Sequence, residues 1–245
     1  MRSRVWRNIL LGSYDDQQRL HRNAKNMPTS DEYDEIIRAD ITRTFANDEW
    51  FATHFTTLTD ILRCYAYTNV GMGYMQGMSF PVFVLYRTFC TDDPKNAAVD
   101  TFYAFHRLIN VVRPIYPLSD SDPVPAKFND DICTLVILMV AVTDSDFAQT
   151  LRTYKHILTV MVFQCVPTLF ANKFNYDETC IVFDFIFDTS NRTMFRNVLR
   201  ILVATLFVFK PVFMYMHEHT IMELISVRDY HNVHKIITLA KNIDV

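Results

Sequence analysis

Glycine is nearly missing from this chain: only four occur in 245 residues, and three of them, Gly71, Gly73 and Gly77, fall in one short window. An all-β fold needs more turn chemistry than that, so the shortage favours helices. An excess of charge is missing too. The formal net charge is −3 and the pI near 6.2, too weak a field to draw a nucleic-acid backbone or an anionic membrane by itself. Apolar runs of membrane-spanning length are interrupted: the stretch 132–142 is too short, and Val198–Met216 carries Arg200 and Lys210. Buried helices fit both better. The five cysteines, Cys64, Cys90, Cys133, Cys165 and Cys180, include no C-x-x-C pair, so neither a zinc ribbon nor a dithiol redox site is suggested and buried, reduced thiols are expected. The amino-terminal residues pass through arginines and Asp15 without the apolar core of a secretory signal, which fits a cytoplasmic protein. There is no G-x-x-x-x-G-K-[ST] loop, no G-x-G-x-x-G after a strand and no G-x-S-x-G elbow, so neither nucleotide binding of those kinds nor a serine nucleophile has local support.

What the chain has instead is apolar mass: half of its residues are hydrophobic and 14% aromatic, enough for a large core in one domain or two closely packed lobes. Val5, Trp6, Ile9 and Leu10 keep helical spacing, with Gly12 as a stop. Thr29 and Glu32 form a candidate capping box, followed by the apolar face of Ile36, Ile37 and Ile41. Leu58, Ile61, Leu62 and Tyr65 predict another helix, which the glycine cluster ends, so that residues 69–79 are a loop. Asp93-Pro94 reads as the start of a helix running to about Val112. Pro114, Pro117, Pro123 and Pro125 with Asp120 and Asp122 mark a junction between an amino-terminal lobe, residues 1–115, and a carboxy-terminal lobe, residues 126–245. Beyond it, helical runs are expected over 132–142, 155–171, 178–187, 194–216 and 221–241, with no fixed-period repeat. The expected fold is therefore all-α and non-solenoid.

Several polar groups have ordinary explanations. The basic residues Arg2, Arg4, Arg7, Arg19, Arg22 and Lys25 read as a solvated face, diluted by Asp15 and Asp16. His217 and His219 are two apart and point to different helix faces, so no metal site is expected there. Asp144-Ser145-Asp146 and Asp120-Ser121-Asp122 sit at polar breaks where such residues cap helices.

Two segments are explained less well in this way. In Ile37-Arg38-Ala39-Asp40-Ile41-Thr42-Arg43, three-residue spacing puts Asp40 and Arg43 on one helix face, where the carboxylate can orient the guanidinium. The alternative is a surface pair worth well under about 1 kcal/mol. In the stretch 69–80, glycines flank Tyr74 and Gln76 in a loop, where missing Cβ atoms let another molecule's backbone approach. The alternative is a tight connection in which Tyr74 packs inward and Gln76 caps a neighbouring helix.

Together these segments resemble the two signature motifs of the TBC domain of Rab GTPase-activating proteins, I-x-x-D-x-x-R and Y-x-Q. The similarity extends through Arg43-Thr44-Phe45, Tyr65, Asn69 and Gly73-Tyr74-Met75-Gln76-Gly77-Met78, to Trp6, Leu10, Leu11 and Gly12 at the start and Asp184 later on. Phe183, Val162 and Ala46 depart from the Trp, Trp and Pro frequent in the family. The resemblance implies one TBC domain over residues 1–245, made of two packed helical lobes. It implies a GTPase activator with no hydrolase activity of its own, acting on a Rab-family small GTPase in its GTP-bound state. Arg43 and Gln76 would be the catalytic arginine and glutamine fingers, Asp40 would position Arg43, and Tyr74, Gly73 and Gly77 would shape the contact with the GTPase. GTP and Mg²⁺ would arrive with the partner, with no cofactor or metal of the chain's own. Nucleic acid is not an expected partner. The implied setting is vesicle trafficking: a cytoplasmic protein that reaches endomembranes only through its partner. A Rab-binding module without catalysis and a helical scaffold are the competing readings.

Overall fold

The structure, a computed structural model, describes residues 1–11, 31–44, 49–69, 72–112, 124–190, 193–227 and 230–243. Among them every regular element is an α-helix, twelve in all. Contacts divide the chain into two compact units, Met1–Ser119 and Asp120–Val245.

The first unit holds α1 (Arg2–Leu10), α2 (Asp31–Thr44), α3 (Glu49–Thr68), α4 (Ser79–Cys90) and α5 (Ala97–Val111). Helix α5 packs against α1, α3 and α4 through Phe102, Phe105, Leu108 and Ile109, all buried. Tyr65 of α3 meets Phe105 edge to face at 4.7 Å. The expected loop between α3 and α4 is present, whereas the helix expected from Asp93 begins only at Ala97. Asp93 caps the intervening turn, its carboxylate accepting from the Asn96 backbone and side-chain amides. Arg7 corrects the solvated-face reading. Its Nε donates to Asp100 at 2.6 Å and its Nη2 to the Phe89 carbonyl at 3.2 Å, with the guanidinium over the Phe89 ring. A planar cation with several donors thereby joins α1 to α4 and α5. Arg4 is exposed; Arg19, Arg22, Lys25, Gly12, the Thr29 cap and the Asp120–Asp122 stretch lie outside the described residues.

The second unit is built on α10 (Met194–Tyr215), which packs against α6 (Val124–Ala141), α7 (Ser145–Thr153), α9 (Tyr176–Phe187), α11 (Glu218–Ser226) and α12 (Val233–Lys241). Helix α8 (Lys155–Cys165) packs against α6, α7 and α11. By length and composition alone α10 could cross a membrane, but 56% of its apolar window is buried within the protein, and Arg200 and Lys210 are used internally. Arg200 donates to the Lys241 and Ile243 carbonyls at 2.8 and 2.9 Å, capping α12, and Lys210 pairs with Asp144. Asp144 is also the N-cap of α7, accepting from the Phe147 amide at 3.0 Å, as its place at a polar break suggests.

Helix α6 begins at Val124, ahead of the expected 132 and within the proline-rich junction, and three further helical features of the second unit differ from expectation. Helix α8 stops at Cys165, because the chain then turns through Leu169 and Phe170 at φ of 51° and 63°. Both side chains are fully buried, and burial at about 1.5–3 kcal/mol each offsets the cost of the left-handed conformation. The run 221–241 is two helices: Tyr230 donates to the Lys173 and Ile225 carbonyls, pinning the break, and Asn232 enters α12 at φ 77°. Helix α7 appears where only a polar break was foreseen, held by Phe147, Ala148 and Leu151.

Candidate functional site

Helix α2 owes its rotation to Ile37 and Ile41, both fully buried. At 3.6 residues per turn, Asp40 falls about 60° from Ile37 around the helix and Arg43 about 60° further. Asp40 is therefore carried to the inner edge, at 3% exposure, while the Arg43 side chain stays 57% exposed. Asp34, a turn and a half earlier, pairs with Arg63 of α3 at 2.6 Å and ties the two helices together.

The oxygens of a buried carboxylate need donors to replace water, and Asp40 has four among the described residues. Arg43 Nη2 donates to Oδ1 at 2.9 Å. Oδ2 accepts from the Tyr74 hydroxyl at 2.5 Å, the Gly77 amide at 3.1 Å and the Ser79 hydroxyl at 3.0 Å. The pair is thus no ordinary surface ion pair. One oxygen faces the arginine; the other gathers the stretch in which Gln76 sits.

The loop has its own supports. Asn69 accepts from the Met72 and Gly73 amides through its carbonyl and donates through its side chain to Tyr65. Gly73 has φ 59°, and a Cβ there would lie 2.3 Å from the Tyr33 hydroxyl, so a side chain at this position would be strained and would have to displace the Tyr33 ring. Gly77, at φ 97°, takes the turn that presents its amide to Asp40. Met78 is fully buried, and its backbone amide closes the turn by donating a hydrogen bond to the Met75 carbonyl. Gln76, between these anchored residues, is exposed.

Tyr74 packs inward. Burial first, and then the Asp40 charge, push its hydroxyl far above the ordinary phenol range, so it stays protonated and remains a donor. The structure thus brings Asp40, Arg43, Gly73, Tyr74 and Gly77 into one hydrogen-bonded and packed cluster with Gln76 on its outer side. Gly71 lies outside the described residues. Sequence reasoning passed over Ser79 and Tyr33. Ser79 gave a faint signal, as a small hydroxyl residue just after a glycine loop and before an apolar helix; nothing marked Tyr33.

Elsewhere, Glu218 pairs with His156 at 2.8 Å and His219 with Glu223 at 3.5 Å, both on the surface. Among the described residues no three histidine, cysteine, aspartate or glutamate side chains gather as a metal site would require. Chemically, the cluster in the first unit offers a permanent cation and a neutral amide at the surface, each backed by a buried anchor.

A comparison with curated proteins finds no match. Among solved structures, the chain is similar to the crystal structure of the Ypt/Rab-GAP domain of Gyp1p, with a TM-score of 0.72 and 17% identity over 93% of this chain and 77% of that one. At that identity the likeness shows a shared all-helical fold. The family model for the Rab-GTPase-TBC domain matches residues 1–214, the greater part of the sequence and all of the Asp40 cluster. This chain belongs to the Rab-GTPase-TBC domain family.

Proposed function

We propose that the protein stimulates GTP hydrolysis by a Rab-type small GTPase, inserting Arg43 and Gln76 into the nucleotide site of the GTP-bound partner. Family membership implies a Rab partner. The observation that carries the finer reading is the Asp40 carboxylate, buried and bonded both to the exposed arginine and to the stretch holding the exposed glutamine. An ordinary helix connection has no need for such an anchor.

GTP hydrolysis requires a positioned water and stabilisation of charge on the transferring phosphoryl group. Arg43 suits the second requirement, because its charge is permanent and its planar donors can bridge oxygens near the β–γ bond. An arginine supplied in trans contributes roughly 10³–10⁵ in rate, about 4–7 kcal/mol. Gln76 suits the first, since an amide can accept from the attacking water and donate to a phosphoryl oxygen at once. Asp40 holds the guanidinium in register before docking, which lowers the entropic cost of forming the reactive arrangement. Gly73 and Gly77 let the GTPase backbone approach a loop without side chains at those positions, while Tyr74 supports that loop from beneath. GTP and Mg²⁺ come with the partner. The protein works in the cytoplasm and reaches endomembranes through the lipidated GTPase.

The test is single-turnover GTP hydrolysis across a panel of Rab GTPases with the wild-type protein, Arg43→Ala and Gln76→Ala. Stimulation by the wild type that both variants lose while staying folded is the expected result. Binding to a GTP-loaded Rab without stimulation would overturn the catalytic reading and leave a binding module.

A further inference from the structure

The two segments carrying Arg43 and Gln76 come from different parts of the chain, yet both are tied to one carboxylate. Among the described residues, the donors on Asp40 Oδ2 all belong to the stretch 74–79, and the donor on Oδ1 is Arg43 itself. The third of the Oδ2 donors is unexpected. Ser79 is the first residue of α4, one past the N-cap position from which a serine hydroxyl serves a helix's own unpaired amides. Here α4 has no side-chain cap at all: its N-cap is Met78, and the buried Ser79 hydroxyl crosses to α2 instead. Asp40 in turn sits where the amide dipoles of the α4 start favour an anion.

We infer that Asp40 couples the two fingers into one unit, and that Ser79 is a positioning residue which acts on Arg43 and Gln76 through that carboxylate. The inference rests on the proposed catalytic reading for its effect on rate, but the coupling itself is a property of the free protein. A carboxylate that loses one donor from Oδ2 shifts toward those remaining, and its Oδ1, bonded to Arg43, moves with it. Loosening either finger segment thereby loosens the other. No hydrogen bond joins Ser79 to Arg43 or to the Gln76 side chain among the described residues; its hydroxyl meets Asp40, and Tyr74 is its other polar neighbour, so its route to Arg43 runs through the carboxylate.

Two readouts separate the coupling from the catalytic role. In the free protein, nitrogen relaxation at the Arg43 guanidinium and hydrogen exchange at the Gly77 amide should both report greater mobility in Ser79→Ala, with the fold retained. Tyr74→Phe, which removes a second donor from the same oxygen, should produce the same paired change. Ser79→Thr, which keeps the hydroxyl, should restore wild-type behaviour. Gly77 loosening in Ser79→Ala and Tyr74→Phe while Arg43 stays unchanged would overturn the coupling. In stimulated hydrolysis, Ser79→Ala should lower kcat about ten-fold or more at unchanged KM, since small misplacements of a reacting group are costly. It should add no further loss to an Arg43→Ala, Gln76→Ala double variant. A loss carried by KM alone, or one that multiplies fully onto the double variant, would overturn the positioning role. Paired mobility changes in a protein that stimulates no Rab would sink the catalytic reading and leave the coupling standing.

Discussion

The two units of this protein both bury charge, and they use it differently. In the first, a buried anion, Asp40, is surrounded by donors from two segments, one of which ends in an exposed cation. In the second, buried cations are surrounded by carbonyls. Lys173, at 1% exposure, donates to the Ile225 and Val227 carbonyls at the end of α11 and to Gln164, with the Tyr230 ring beside it. Arg200 does the same for the end of α12. The physics is shared: a charge out of water must be met by hydrogen bonds. What differs is where the network ends. The cation networks close on backbone within the unit and complete helix termini that would otherwise leave carbonyls unpaired. The anion network opens at the surface through Arg43 and supports Gln76 beside it. A buried charge is thus weak evidence for a site, and a buried charge whose partners continue to the surface is stronger evidence.

The comparison breaks most decisively at Arg43. Arg43→Ala should lower Rab-stimulated kcat by roughly 10³–10⁵ and change folding stability by less than about 1 kcal/mol, because the removed side chain is mostly exposed. Single-turnover kinetics and denaturant titration read the two effects separately, and a large loss of stability would make Arg43 structural. Next in size is Asp40→Ala, which strands the buried Tyr74 and Ser79 hydroxyls and the Gly77 amide. About 3 kcal/mol of stability or more should go with it, together with stimulation. In the second unit, Lys173→Met should cost about 1–3 kcal/mol by leaving the α11 carbonyls unmet, with stimulation unchanged in the protein that remains folded. A loss of activity matching Asp40→Ala would erase the distinction between the units.

The smallest expected effect is one of pH. Hydrogen bonding from Lys210 holds the Asp144 carboxyl below its ordinary range, and bonds from Ser190 do the same for Asp188. A carboxyl with a depressed folded pKa contributes stability that is present above its unfolded pKa and lost as pH falls through the folded one. Asp144→Asn should therefore make the fall in Tm below about pH 4 shallower than in wild type. An unchanged acid limb would show that the Lys210 pair adds nothing in solution.

Much of the fold could be read from periodicity, because long apolar stripes such as Leu58, Ile61, Leu62 and Tyr65 have one way to be buried. Boundaries set at a distance could not. The break after α11 depends on Tyr230 reaching carbonyls of Ile225 and Lys173, and no glycine or proline announces it. The end of α8 had Pro167 as a signal, but the left-handed turn at Leu169 and Phe170 is offset by burial that no local pattern displays. At the site, the spacing of Asp40 and Arg43 and the glycines around Gln76 were visible as two separate motifs. Their union was not, since it rests on a hydrogen bond spanning 37 positions from Gly77 to Asp40.

By itself, then, the amino-acid order determined the helical class, the existence of a loop between α3 and α4 and the residue types available for chemistry, because helical spacing and glycine conformations are local properties of the backbone. Only the tertiary structure decided that Asp40 is buried, that Tyr74 faces inward and that Ser79 serves another helix instead of its own. Each of those outcomes depends on which donors and which apolar surfaces meet when distant segments pack, and a carboxylate's role is set by that company.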